Sequence, residues 1–240
     1  VHAGAVPEVG GRHLRGERDA RAGTRLGAII GSVSASPGPS GSSGAGKNDV
    51  VGTAKGERRR QELVTAAAEL LRSGGFDAVR HRAVAERAGL PLASTTYYFG
   101  SLEELVTAAV ERTSRDELAD GRRQLDALGA GPVPPGAPAE LVLDLLLGAE
   151  SRDGGLDAVL LRYERLVGAG RRPYLAPLMR ELRVELDALL TEILVRGGHP
   201  PNAAWLRDLV SLVDGAVISA LIESDPDPRA AAREVLLRSL

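Results

Sequence analysis

The chain has 240 residues, 43% of them apolar, with 3% aromatics, four His, no Cys and a formal net charge of −2. A core must therefore rest on Leu, Val and Ala, a set that favours packed helices over sheets. The missing Cys excludes disulfides, thiolate metal sites and Cys nucleophiles, and the scattered His2, His13, His81 and His199 do not form a ligand set, so no metal or other cofactor is expected.

Residues 1–54 are rich in Gly, Ala, Ser and Arg and read as a disordered tail, with a basic arm that assists DNA binding as the rival reading. Position 1 is Val and the only Met is Met179, which fits a start at a GTG codon; whether residues 1–54 belong to the native protein stays open. The apolar stretch 26–35 is too short and too diluted by Gly and Ser for a secretory leader, and no run reaches the roughly 20 residues that span a bilayer. A cytoplasmic chain without membrane contact is expected. Gly41 to Asn48 nearly spells a phosphate-binding loop. Asn48 stands where a Mg²⁺-binding hydroxyl belongs and the flanks lack the strand and helix such a loop needs, so a nucleotide-binding enzyme is the weakest alternative and no catalytic residue is assigned.

From Lys55 the pattern turns helical. Leu63, Val64, Ala67, Leu70 and Leu71 mark one face, and Ser73-Gly74-Gly75 ends it. Short helices follow over 79–88 and 91–98, joined at Gly89, which can take the left-handed turn conformation. Ser101 to Glu104 is a capping box that opens a fourth helix running to about 128. Further helices are expected over 139–150, 156–168, 173–196 and 202–223, the last capped by Asn202, with a final one ending at Leu240. No segment alternates with period 2. The fold class is all-α: a three-helix unit at 55–101 joined to a larger helical domain at 102–240.

Two short helices around a tight glycine turn, packed on a first helix, are the parts of a helix-turn-helix. The run 75–105 resembles that of the TetR (tetracycline-repressor-like) family. The features that carry the resemblance are Gly75-Phe76, Ala83 through Gly89, Thr96-Tyr97-Tyr98-Phe99 and Ser101 through Leu105. It implies a ligand-responsive DNA-binding regulator, a repressor released from a palindromic operator by a small molecule, with an effector-independent DNA-binding protein as the alternative. It also implies roles. Leu92, Ala93, Ser94 and Thr96, at the start of the third helix, would read base edges, and Arg82 would supply a bidentate guanine contact. Arg80, His81, Tyr97 and Tyr98 would touch phosphates, whereas Thr95 and Phe99 would face inward. Three positions depart from the family pattern: Arg80 replaces the usual Ser/Thr cap, Pro91 the usual Ser, and Leu102 a common phosphate-binding Lys.

In this family the second domain holds an effector and forms a homodimer. Candidate effector contacts are Leu141, Leu145, Tyr163, Tyr174, Leu178 and Met179. The last two helices are strongly apolar, and Leu209, Val213, Val217, Leu221, Leu236 and Leu240 are the candidate dimer contacts, in a four-helix bundle with a symmetric copy.

Overall fold

The structure, a computed structural model, describes residues 46–129, 133–134, 136–153 and 155–240, with side chains from residue 54 onward. Among them are nine α-helices, two short 3₁₀ turns and no strand. The reading of residues 1–45 as a tail lies outside this range.

Helix α1 spans Gly46–Ala78 and begins ahead of Lys55, although Gly52 alone costs a helix about 1 kcal/mol there. The expected stop at 73–75 is a kink: Gly75 sits at φ 65° and ψ −164°, and one more turn carries the chain past Phe76. Helices α2 (His81–Ala88) and α3 (Leu92–Tyr98) follow. Between them Gly89 adopts φ 65° and ψ 28°, and its N–H closes α2 on the carbonyls of Ala85 and Glu86.

Helix α4 (Leu102–Ala127) starts at Ser101, whose Oγ accepts from the Glu104 N–H at 3.1 Å. The Glu104 carboxylate reaches back to the Gly100 N–H at 2.8 Å, one residue earlier than in a standard box. Helix α5 (Ala137–Leu147) is buried along its whole second half and runs into a 3₁₀ turn at Ala149–Arg152. Helix α6 covers Gly155–Gly170. The single helix expected over 173–196 is divided. Pro173 opens a 3₁₀ turn (Pro173–Leu175) and Pro177 lies in the first turn of α7 (Ala176–Arg196), where a missing N–H costs no hydrogen bond. Asn202 caps α8 (Ala203–Ile222) by accepting from the N–H groups of Ala204 and Trp205, and Asp227 caps α9 (Pro228–Ser239).

Two apolar cores result. One joins Leu63, Ala67, Val84, Phe99, Leu105 and Val106 to Ala169 and Leu175, so the helix-turn-helix shares its interior with α6 and the turn after it. The other gathers Leu143, Leu147, Leu190, Ile193, Leu209, Val213 and Leu236. A buried polar cluster ties α9 to α5: Arg229 pairs with Asp144 at 2.9 Å and with Glu140 at 2.7 Å, and Arg152 holds Asp144 through two nitrogens.

Candidate functional site

The first candidate surface is the outer side of α2 and α3. Thr95 is fully buried and its Oγ1 donates to the Leu92 carbonyl at 2.8 Å; Phe99 is buried beneath the Arg60 guanidinium. With those two residues turned inward, the opposite side of α3 faces out. Leu92, Ala93 and Thr96 are exposed there, and Ser94 is half-buried. Tyr97 is 81% exposed and meets half-buried Tyr98 edge to face, the centroids 4.8 Å apart. On α2, Arg82 is exposed and hydrogen-bonds to no described residue. Arg80 precedes α2 without capping it by its side chain; Arg80 Nε donates instead to the Asp77 carbonyl at 3.0 Å. His81 is half-buried, and its Nδ1 lacks a partner among the described residues.

The second feature is a cavity of about 410 Å³, within the range of small-molecule sites. Its walls come from α1 (Leu71, Phe76), α4, α5, α6, α7 and α8. Of the six expected effector contacts, Leu145 and Met179 line it. Tyr163 stands behind the wall: its hydroxyl donates to Asp214 Oδ1 at 2.7 Å, and Asp214 does line the cavity. Burial, then the Asp214 charge and the hydrogen bond to it, hold the phenol far above its ordinary pKa and therefore protonated. Three expectations are corrected. Leu141 belongs to the interior core, Leu178 packs on the core beneath the helix-turn-helix, and Tyr174 lines a smaller cavity of about 250 Å³ beside Phe76 and Arg172. Leu141 and Leu178 lie on helices that line the cavity but on other faces of them, whereas Tyr174 lies in the 3₁₀ turn ahead of α7, which contributes no wall.

Apolar periodicity could not reveal the polar part of the lining. Thr113 and Glu117 lie one turn apart on α4, and Arg162, Arg165, Leu166 and Ala169 follow i, i+3, i+4, i+7 on α6. Two arginines on the inward stripe of a helix were the available signal. Phe76 was also missed as a wall. It lines both cavities, the Arg172 guanidinium sits 3.9 Å from its ring centre, and any Cβ on Gly168 would lie 2.9 Å from the ring.

Residues 63–109 match the family model described as bacterial regulatory proteins, tetR family, and residues 133–240 match the tetracyclin repressor-like C-terminal domain. The HTH-type transcriptional repressor KstR of Rhodococcus jostii (strain RHA1) is 30% identical over 176 residues, which cover 69% of this chain and 77% of that protein. The chain belongs to the TetR family. Crystal structures of family-like proteins agree with the fold. The multidrug binding protein EbrR complexed with proflavin is 32% identical, with a TM-score of 0.56 over 76% of this chain and 99% of that one. The regulator SCO7518 from Streptomyces coelicolor A3(2) is 27% identical, with a TM-score of 0.53 over 76% and 98%. The chain is thus a TetR-family, repressor-like transcriptional regulator with a DNA-binding helix-turn-helix, and no described helix is long and apolar enough to cross a membrane.

Within this TetR-family body the last two helices overturn one expectation. Leu209, Val213, Val217 and Leu236 are buried in the chain's own core, and Leu221 and Leu240 pack half-buried against it. None of the first four can meet a partner. Helix α8 is apolar on two sides, so its periodicity did not distinguish the inner side from the outer. The outer side carries Leu212 (55% exposed), Ile218 and Ile222 (78% exposed) around Gly215, and exposed Leu237 is the outward apolar residue of α9.

Proposed function

We propose that this protein is a cytoplasmic, homodimeric, one-component repressor that leaves a palindromic operator when a small molecule enters its cavity. One observation carries the reading: Leu71 and Phe76, on the last turns of the helix that leads into the helix-turn-helix, are also walls of the cavity. A ligand that presses on this wall acts on the element that carries α2 and α3. Similarity to EbrR, whose structures hold proflavin, ethidium and malachite green, supports a small-molecule occupant.

In this reading residues 55–101 form the DNA-binding domain, and residues 102–240 form the effector-binding and dimerisation domain. Leu92, Ala93, Ser94 and Thr96 contact base edges, with apolar groups against thymine methyls, and Arg82 reads guanine. Arg80, His81, Tyr97 and Tyr98 position the unit on phosphates. The exposed stripe of Leu212, Ile218, Ile222 and Leu237 pairs with its symmetric copy. Gly215 has nothing within 4 Å of its would-be Cβ, which leaves room for close helix approach.

Selection of duplexes from a random pool with the full chain tests the reading. Enrichment of a palindrome whose half-sites lie about 34–36 Å apart, or a multiple of that, is expected. A monomer that enriches no sequence at moderate salt would sink it. Linkage adds a second check: operator DNA must weaken effector binding by the same factor as effector weakens operator binding.

A further inference from the structure

The charges that line the large cavity are unevenly matched. Arg162 pairs with Glu117 at 2.8 Å and donates to the carbonyls of Leu145 and Leu146. Arg183 pairs with Asp187 at 2.7 Å, and Asp214 accepts the Tyr163 hydroxyl. Arg165 is different. It donates one hydrogen bond, to the Arg72 carbonyl at 3.1 Å, and forms no ion pair with a described carboxylate. A guanidinium has five N–H donors and does not deprotonate in a protein, so half-buried Arg165 keeps donors that no described protein group accepts from. Burial pulls the Arg165 pKa below its ordinary value, and the charges of Glu117 and Glu150 oppose this without cancelling it. A second donor is idle in the same cavity. Thr113 is buried, and its Oγ1 has no partner, although a helical threonine hydroxyl ordinarily returns to the carbonyl one turn back.

We propose that the effector is an organic anion with an apolar body, its carboxylate paired with Arg165 and an acceptor oxygen served by Thr113. This rests on the reading of the cavity as an effector site and adds the chemical class. The sign follows from what is already engaged. A cationic head group would find only Asp214, which has no ion pair but already accepts the Tyr163 hydroxyl, whereas an anion finds both the Arg165 guanidinium, which has no ion pair, and the unpartnered Thr113 hydroxyl. Leu118, Leu145, Met179 and Leu182 supply apolar wall for the rest of the molecule.

Calorimetric titration of the purified full chain with decanoate, 1-decanol and decylamine tests this. The three probes share one chain and differ in head group. Decanoate should bind at least about tenfold more tightly than either other probe, since a hydrogen bond to a charged partner is worth more than a neutral one. Arg165→Gln can keep the bond to Arg72 but loses the charge, and should erase the preference for decanoate while leaving 1-decanol affinity unchanged. Arg165→Lys should restore part of it. Thr113→Val should weaken decanoate binding severalfold yet raise the melting temperature of the free protein, because an unpartnered buried hydroxyl is removed. Unchanged melting of Arg165→Gln shows that it folds. Tighter binding of decylamine, or an Arg165→Gln variant that retains the preference, overturns the anionic class and leaves the cavity reading standing. Failure of all three probes to bind overturns both.

Discussion

At the scale of single residues, Gly89 and Arg82 do different work. Gly89 holds φ 65°, and a Cβ there would meet no atom within 4 Å, so replacement by Ala carries only a backbone penalty. Gly89→Ala should lower stability by about 1–2 kcal/mol in urea titration, the cost of placing an L-residue in the left-handed region. Its register with α3 is then strained, and DNA affinity should fall more than a global loss of that size explains. Arg82 is exposed and makes no hydrogen bond or ion pair with a described residue. Arg82→Ala should leave the melting temperature unchanged, cost about 1–3 kcal/mol of operator binding and relax selectivity at one base pair in each half-site. A uniform loss across all sequences would instead make Arg82 a phosphate contact.

At the scale of elements, the body depends on how α9 is fastened to α5. Arg229 is nearly buried and answers both Asp144 and Glu140, with Ser151 Oγ accepting a further bond at 2.7 Å. Arg229→Ala would leave two carboxylates facing the gap, and unfolding in urea should show a loss of about 3 kcal/mol. Burial alone would raise the Glu140 pKa, yet the hydrogen bonds and charges of Arg229 and Arg233 hold it below the ordinary 4.5. A carboxylate whose folded pKa is depressed contributes stability above its unfolded pKa and loses that contribution as pH falls through the folded value. Glu140→Gln should therefore differ most from wild type at neutral pH, and the two melting temperatures should converge as pH drops below about 4.5. A gap that widens in acid would place the stabilising charge elsewhere.

At the scale of the molecule, the proposed dimer rests on the exposed stripe of α8 and α9. Leu212 and Ile222 lie outside the core, so charged replacements there leave the fold of the chain intact. Leu212→Glu combined with Ile222→Glu should convert a dimer to a monomer by light scattering, keep the melting of the isolated chain and abolish operator binding, since two half-sites need two joined copies. Val213→Glu, by contrast, should unfold the protein, because Val213 is fully buried. Equal behaviour of the two variants would mean that the outer stripe is not an interface.

Helix number and order, the glycine turn at Gly89, the caps at Ser101 and Asn202 and the inward residues Thr95 and Phe99 were all legible in the sequence, because each depends on residues within a turn or two of itself. The tertiary structure alone decided which of two apolar sides of α8 is interior, and that Leu141, Leu178 and Tyr174 do not line the large cavity. It alone brought Phe76, Thr113, Arg165 and Asp214 to one cavity. Those outcomes depend on how helices distant in the chain rotate against one another, and local periodicity identifies a helix face without specifying what it will meet.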